Sequence, residues 1–183
     1  MLKISVQDGE DWVDRDAPAT FARQVMSTGG ERIVAGVPHA AVFRELTKAL
    51  EGPFQVLYVL HTPRGEGEPG RYQSPKISAA DLAAFLTRFE TYLVSDARHD
   101  LWVRSASSGD VLVWDRHNTI YGYGSLDSLA GRLRSLSFDE AVQPDLGDHM
   151  HHYRAEFDAD AAEVLEAFDW LHTPLRQEDE QLL

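Results

Sequence analysis

His149 and His151 stand two residues apart in the alternating run HMHHYRAEF, residues 149–157, and on a β-strand that spacing projects both imidazoles to one face. Three further candidate ligands, His99, Asp115 and His117, lie in HDLWVRSASSGDVLVWDRHNTIYGYG, residues 99–124. Imidazole nitrogens with a carboxylate suit zinc, iron or manganese, and an open coordination position would let a divalent ion activate water. The competing explanation is structural. Histidines at strand ends commonly hydrogen-bond backbone or carboxylates, and Asp115 could cap a turn through its own backbone. A metal-free acid/base pair of Asp115 and His117 is a third possibility. No His-Glu-x-x-His spacing and no Gly-x-Ser-x-Gly elbow is present, and the absence of cysteine removes thiolate zinc sites, thiol nucleophiles and disulfides.

A second polar group, Arg64, Arg71 and Tyr72, falls in HTPRGEGEPGRYQSP, a stretch without apolar period that reads as a long mobile loop, with residues 63–74 the most mobile. Its arginines could clamp an anion and serve a small-ligand site. Glu66 and Glu68 would repel phosphate, and the stretch lacks the Gly-Lys-Ser/Thr or Gly-x-Gly-x-x-Gly patterns of phosphate loops.

The elements that must position these groups are best seen in residues 99–124. Leu101, Trp102 and Val103, then Val111 to Trp114, then Ile120, Tyr121 and Tyr123 read as a three-strand meander. A three-residue loop with Gly109 at positive φ would set Val103 opposite Val113, Trp102 opposite Trp114 and Leu101 opposite Asp115. Asn118 is the natural second corner. Either turn arrangement leaves His99, Asp115 and His117 at one end of the sheet. The run 54–60 is apolar on nearly every residue, the pattern of a strand covered on both faces.

Around these strands the periodicity predicts helices. Asp16 caps a short one bearing Phe21, Val25 and Met26, and Pro38 opens one bearing Val42, Phe43, Leu46 and Leu50. Ser78 and Asp81 resemble a capping box before Leu82, Phe85, Leu86, Phe89 and Leu93, a helix over 79–93. Leu126, Leu129, Leu133 and Leu136 mark a fourth, and Ala161, Val164, Leu165, Phe168 and Leu171 a fifth. The expected fold is α+β, a mainly antiparallel sheet of the meander plus strands near 54–61 and 149–157, with four to five helices packed around it. A single domain spans 1–183, with an N-terminal arm at 1–16 and a flexible tail at 174–183.

Thirty acidic and seventeen basic residues give a formal charge of −13, which repels nucleic acid and anionic membranes. The N-terminus lacks the basic start and apolar run of a signal peptide, so a soluble cytoplasmic protein is expected. Charge, an aromatic meander and the lack of a catalytic motif favour a non-catalytic acidic module that binds a basic protein partner, in a regulatory, accessory or inhibitor-like role. The rivals are a metal-dependent hydrolase built on the His/Asp cluster and a small-ligand binding domain. Convergence of the histidines in space separates them.

Overall fold

The computed structural model describes residues 1–37 and 39–180. In chain order the elements are β1 (Ile4–Asp8), β2 (Asp11–Asp14), β3 (Thr20–Val25), β4 (Glu31–Gly36), α1 (Ala41–Thr47), β5 (Phe54–Leu60), β6 (Gly70–Gln73), α2 (Ala79–Arg88), α3 (Glu90–Ser95), β7 (His99–Ser105), β8 (Val111–Trp114), β9 (Thr119–Tyr123), α4 (Leu126–Ser135), β10 (Asp139–Glu140), β11 (His149–His151), α5 (Asp158–Glu166), β12 (Leu171–Thr173) and α6 (Gln177–Glu180). Nine strands form one sheet in the order β10-β3-β4-β9-β8-β7-β5-β6-β12, antiparallel except where β10 meets β3. A second sheet has the order β11-β1-β2. The result is a mixed α/β fold with a large, mostly antiparallel sheet.

Strand alternation divides the large sheet into two faces. Val56, Tyr58, Leu60, Leu101, Val103, Leu112, Trp114, Ile120, Ile33 and Ala35 are buried in one cluster with Phe43 and Leu46 of α1, Phe85 and Leu86 of α2, Leu129 and Leu133 of α4, and Val164 of α5. The opposite face carries a cross-strand row, Val34, Tyr121, Val113, Trp102 and Leu57. As its unbroken apolar run requires, β5 lies inside the sheet, between β7 and β6. No helix among the described residues is long and apolar enough to cross a membrane.

Several local expectations are corrected. The meander pairs Leu101 with Trp114, Trp102 with Val113 and Val103 with Leu112, one residue away from the expected register. The cause is a longer loop: Ser105 N donates to Asp110 O, so that pair closes the hairpin and Ala106 joins Ser107, Ser108 and Gly109 in the connection, with Gly109 keeping its positive φ of 82°. The shift puts Leu101 and Trp114 on the same buried face. Residues 20–25 form a strand and not a helix, because a segment this short gains more from pairing with β4 than from an isolated helical turn. The helix over 79–93 begins with the expected capping box but breaks at Phe89 into α2 and α3.

The expected strand over 149–157 is only β11, three residues long, and it joins the small sheet. The arm at 1–16 supplies the rest of that sheet. Residues 70–73 of the expected loop are strand β6, and Leu171, expected on the last helix, lies in β12 against it. There α5 has ended, with Trp170 Nε1 donating to Val164 O. In the expected tail, Asp179 is buried and ion-paired with Arg71. The opening of α1 at Pro38 and the tail beyond residue 180 lie outside the described residues.

Candidate metal centre

The turn after β8 fixes the first histidine. Asp115 Oδ1 accepts the backbone N–H of His117 at 2.9 Å and of Thr119 at 2.8 Å, which closes a tight corner. Asn118 completes it at φ 56°, its Oδ1 accepting from Trp114 Nε1 and its Nδ2 donating to Val94 O, both at 2.9 Å. Lys3, fully buried, donates to Asp115 O at 3.0 Å and to His99 O at 3.3 Å, tying the start of the chain to this end of the sheet. The second carboxylate oxygen, Asp115 Oδ2, is 3.0 Å from His117 Nδ1. Asp115 therefore both caps the turn and orients the imidazole.

The small sheet brings the other two. His149 and His151 lie opposite Val6 and Ile4, on one face of β11, while Met150 between them turns outward. The three ring centroids form a nearly equilateral triangle: His117 to His149 is 5.1 Å, His117 to His151 4.9 Å and His149 to His151 5.2 Å. One ring nitrogen of each lies within 4.8 Å of the other two. Ligands about 2.1 Å from an ion stand no more than about 4.2 Å apart, so the three rings would have to draw together to share one ion.

The donor set fits a metal. Among the described residues, the buried Nε2 atoms of His117 and His151 have no hydrogen-bond partner. Such orphans are costly unless something binds them. His149 Nδ1 is 3.0 Å from Gly147 O and so carries the proton, which leaves its Nε2 lone pair available. Burial, followed by the neighbouring His117, His149 and Arg116, pushes the pKa of His151 down to about 4, so its ring is a neutral donor at pH 7. Burial would raise the Asp115 carboxyl, but the hydrogen bond from His117, the Thr119 N–H and Lys3 hold it below its ordinary value. An ionised carboxylate behind a ligating imidazole fixes its tautomer and strengthens it as a donor.

The site opens on a cleft of about 490 Å³ whose walls include His117, His149 and Asp115 together with Arg15, Arg32, Thr119 and Tyr121. Of the five candidate ligands named from sequence, His117, His149 and His151 come together, and Asp115 stands behind His117 and not among them. His99 is elsewhere. It is fully buried, stacked 5.0 Å from Tyr58 and tilted 4.8 Å from Tyr92, and among the described residues both its ring nitrogens are unpartnered. The loop residues meet partners within the protein: Arg64 pairs with Asp158 at 3.0 Å, Arg71 pairs with Asp179, and Tyr72 OH donates to Glu68 O at 2.7 Å. Lys3, Arg15 and Arg32 carried no sequence signal. Arg15 touches His117 across 102 positions of chain, a contact that no local pattern encodes.

No protein-family model matches the chain, and no curated protein or solved structure matches it either.

Proposed function

We propose that this chain is a metal-dependent hydrolase whose ion is held by His117, His149 and His151, with Asp115 positioning His117. The observation that supports this reading is the meeting of three imidazoles from two separate sheets around unpartnered nitrogens, beside a cleft. Three nitrogen ligands and an open side are the donor set of catalytic zinc, and also suit iron or manganese. When bound, such an ion supplies Lewis acidity and acidifies water at its open position. The chain's own contribution is to hold the three rings, to keep Nδ1 of His117 protonated through Asp115, and to shape the cleft. The alternative of a non-catalytic acidic module for a basic partner has only net charge and composition behind it, and neither singles out a surface.

The test begins with the elemental content of the purified protein, then titration of chelator-treated protein with Zn²⁺, Mn²⁺ and Fe²⁺. One ion per chain is expected, together with metal-dependent turnover across a panel of ester, phosphoester and amide substrates. Protein that binds none of these ions at micromolar concentration would overturn the proposal. Protein that binds an ion but turns over nothing in the panel would retain the metal centre and lose the hydrolase.

A further inference from the structure

Arg15 and Arg32 line the cleft that contains His117 and His149, and among the described residues neither meets a carboxylate within ion-pair distance. That is informative in a chain with thirty acidic side chains for seventeen basic ones. Arginines such as Arg23, Arg44 and Arg88 find carboxylates at 2.6, 2.8 and 2.9 Å. The two cleft arginines are instead held in place by neutral groups. Arg15 Nη1 donates to His117 O at 2.7 Å and to Thr119 Oγ1 at 3.3 Å. Arg32 Nε donates to Gln24 Oε1 at 3.1 Å, its Nη1 donates to Tyr123 OH at 3.3 Å, and the guanidinium lies 4.5 Å from the Tyr121 ring centroid.

Both arginines are partly buried, and their unused N–H groups are not among the fully enclosed, unpartnered atoms. Those groups therefore remain accessible. An arginine that is fixed in orientation, partly desolvated and not ion-paired is prepared for an oxyanion, since its planar fork matches carboxylate and phosphate oxygens. The acids on the same wall are otherwise engaged: Asp115 in the turn and with His117, and Asp145 accepting from Gly147 N at 3.4 Å. Val34, Tyr121 and Leu146 add apolar wall for an organic body.

We infer that the cleft is a binding site for a small organic oxyanion, a carboxylate or a phosphate monoester, whose charged end is held by Arg15 and Arg32 while its other end reaches toward the three histidines. The inference rests on the proposed metal centre for treating that ligand as the substrate. The arginine subsite is measured separately from the metal, so that failure of either is visible. Benzoate and phenyl phosphate share an aromatic body and differ in the anion, so comparing them identifies the preferred head group.

Calorimetric titration of chelator-treated protein with each probe is expected to show millimolar or tighter binding of at least one, strengthened on loading with zinc. Arg32→Gln should weaken that binding at least tenfold in both forms while zinc stoichiometry is unchanged. Arg15→Lys, which keeps a donor for His117 O, should weaken it several-fold. His149→Ala should remove zinc but leave binding to the metal-free protein intact. Failure of both probes to bind, or an Arg32→Gln affinity equal to that of the parent, overturns the subsite whatever the zinc content. Zinc missing while the arginine-dependent binding persists overturns the metal centre and leaves the subsite standing.

Discussion

Asp115 Oδ2 lies 3.0 Å from Nδ1 of His117, while the other oxygen of the same carboxylate holds the backbone N–H of His117 and Thr119. One side chain thus sets both the corner of the chain and the rotation of the imidazole. The proton is assigned to His117 Nδ1, because a carboxylate held below its ordinary pKa accepts and does not donate. Nε2 is then left as the lone pair that faces His149 and His151.

Asp115→Asn separates the two tasks. The amide oxygen can still accept the two backbone N–H groups, but the amide NH2 then faces His117 Nδ1 and favours the opposite tautomer. Zinc affinity, measured by competition with a chromophoric chelator, is expected to fall about 10- to 100-fold, the usual effect of losing such a supporting partner. An unchanged affinity would show that Asp115 serves the turn alone.

His117→Ala combined with His151→Ala removes two of the three donors and both orphaned nitrogens. Metal content should fall from about one ion per chain to background, because a single imidazole cannot hold the ion against water. Circular dichroism should change little, while the metal-free melting temperature should fall, because the buried Asp115 Oδ2 loses its partner His117 Nδ1. Full metal content in the double variant would refute the site.

What the sequence made legible follows from the range of the interactions. The i, i+2 spacing of His149 and His151, the Asn118 corner and the capping box at Ser78 are local, and each takes the geometry its residues predict. The exclusion of His99 was not legible. His99 and Asp115 share one end of the sheet, yet His99 turns into the packed face toward Tyr58 and Tyr92 while His117 turns toward β11, and the one-residue register decides which. The strand character of residues 20–25 was equally hidden, because it is decided by β4 and β10 on either side.

Leu86 tests the packing that supports the large sheet. It is 4% exposed on α2, on the stripe that faces the large sheet. Leu86→Ala should lower the unfolding free energy by about 2–5 kcal/mol, the range for truncating a buried leucine, with zinc stoichiometry retained under native conditions. A loss below about 1 kcal/mol in chemical denaturation would mean the site is not packed as described.

His99 gives the last prediction, and its sign can be worked out. Burial, followed by the charges of Lys3, Arg98 and His61, holds its pKa well below 6.5. The folded protein therefore keeps His99 neutral where the unfolded chain takes up a proton. The stabilisation is complete above pH 6.5 and is lost as pH falls below it, with a slope approaching about 1.4 kcal/mol per pH unit from this one group. His99→Phe keeps a flat ring between Tyr58 and Tyr92 and replaces two unpartnered buried nitrogens with carbon. In the presence of chelator, which silences any metal contribution, the variant should be more stable at pH 7 by about 1 kcal/mol or more and should lose less stability between pH 6.5 and 5. Its zinc content at neutral pH should match that of the parent, since His99 is not one of the three converging rings. Denaturant titrations at several pH values decide it. A variant that is less stable at pH 7 with the same acid limb would show that the His99 nitrogens have partners, and one that loses zinc would return His99 to the metal site.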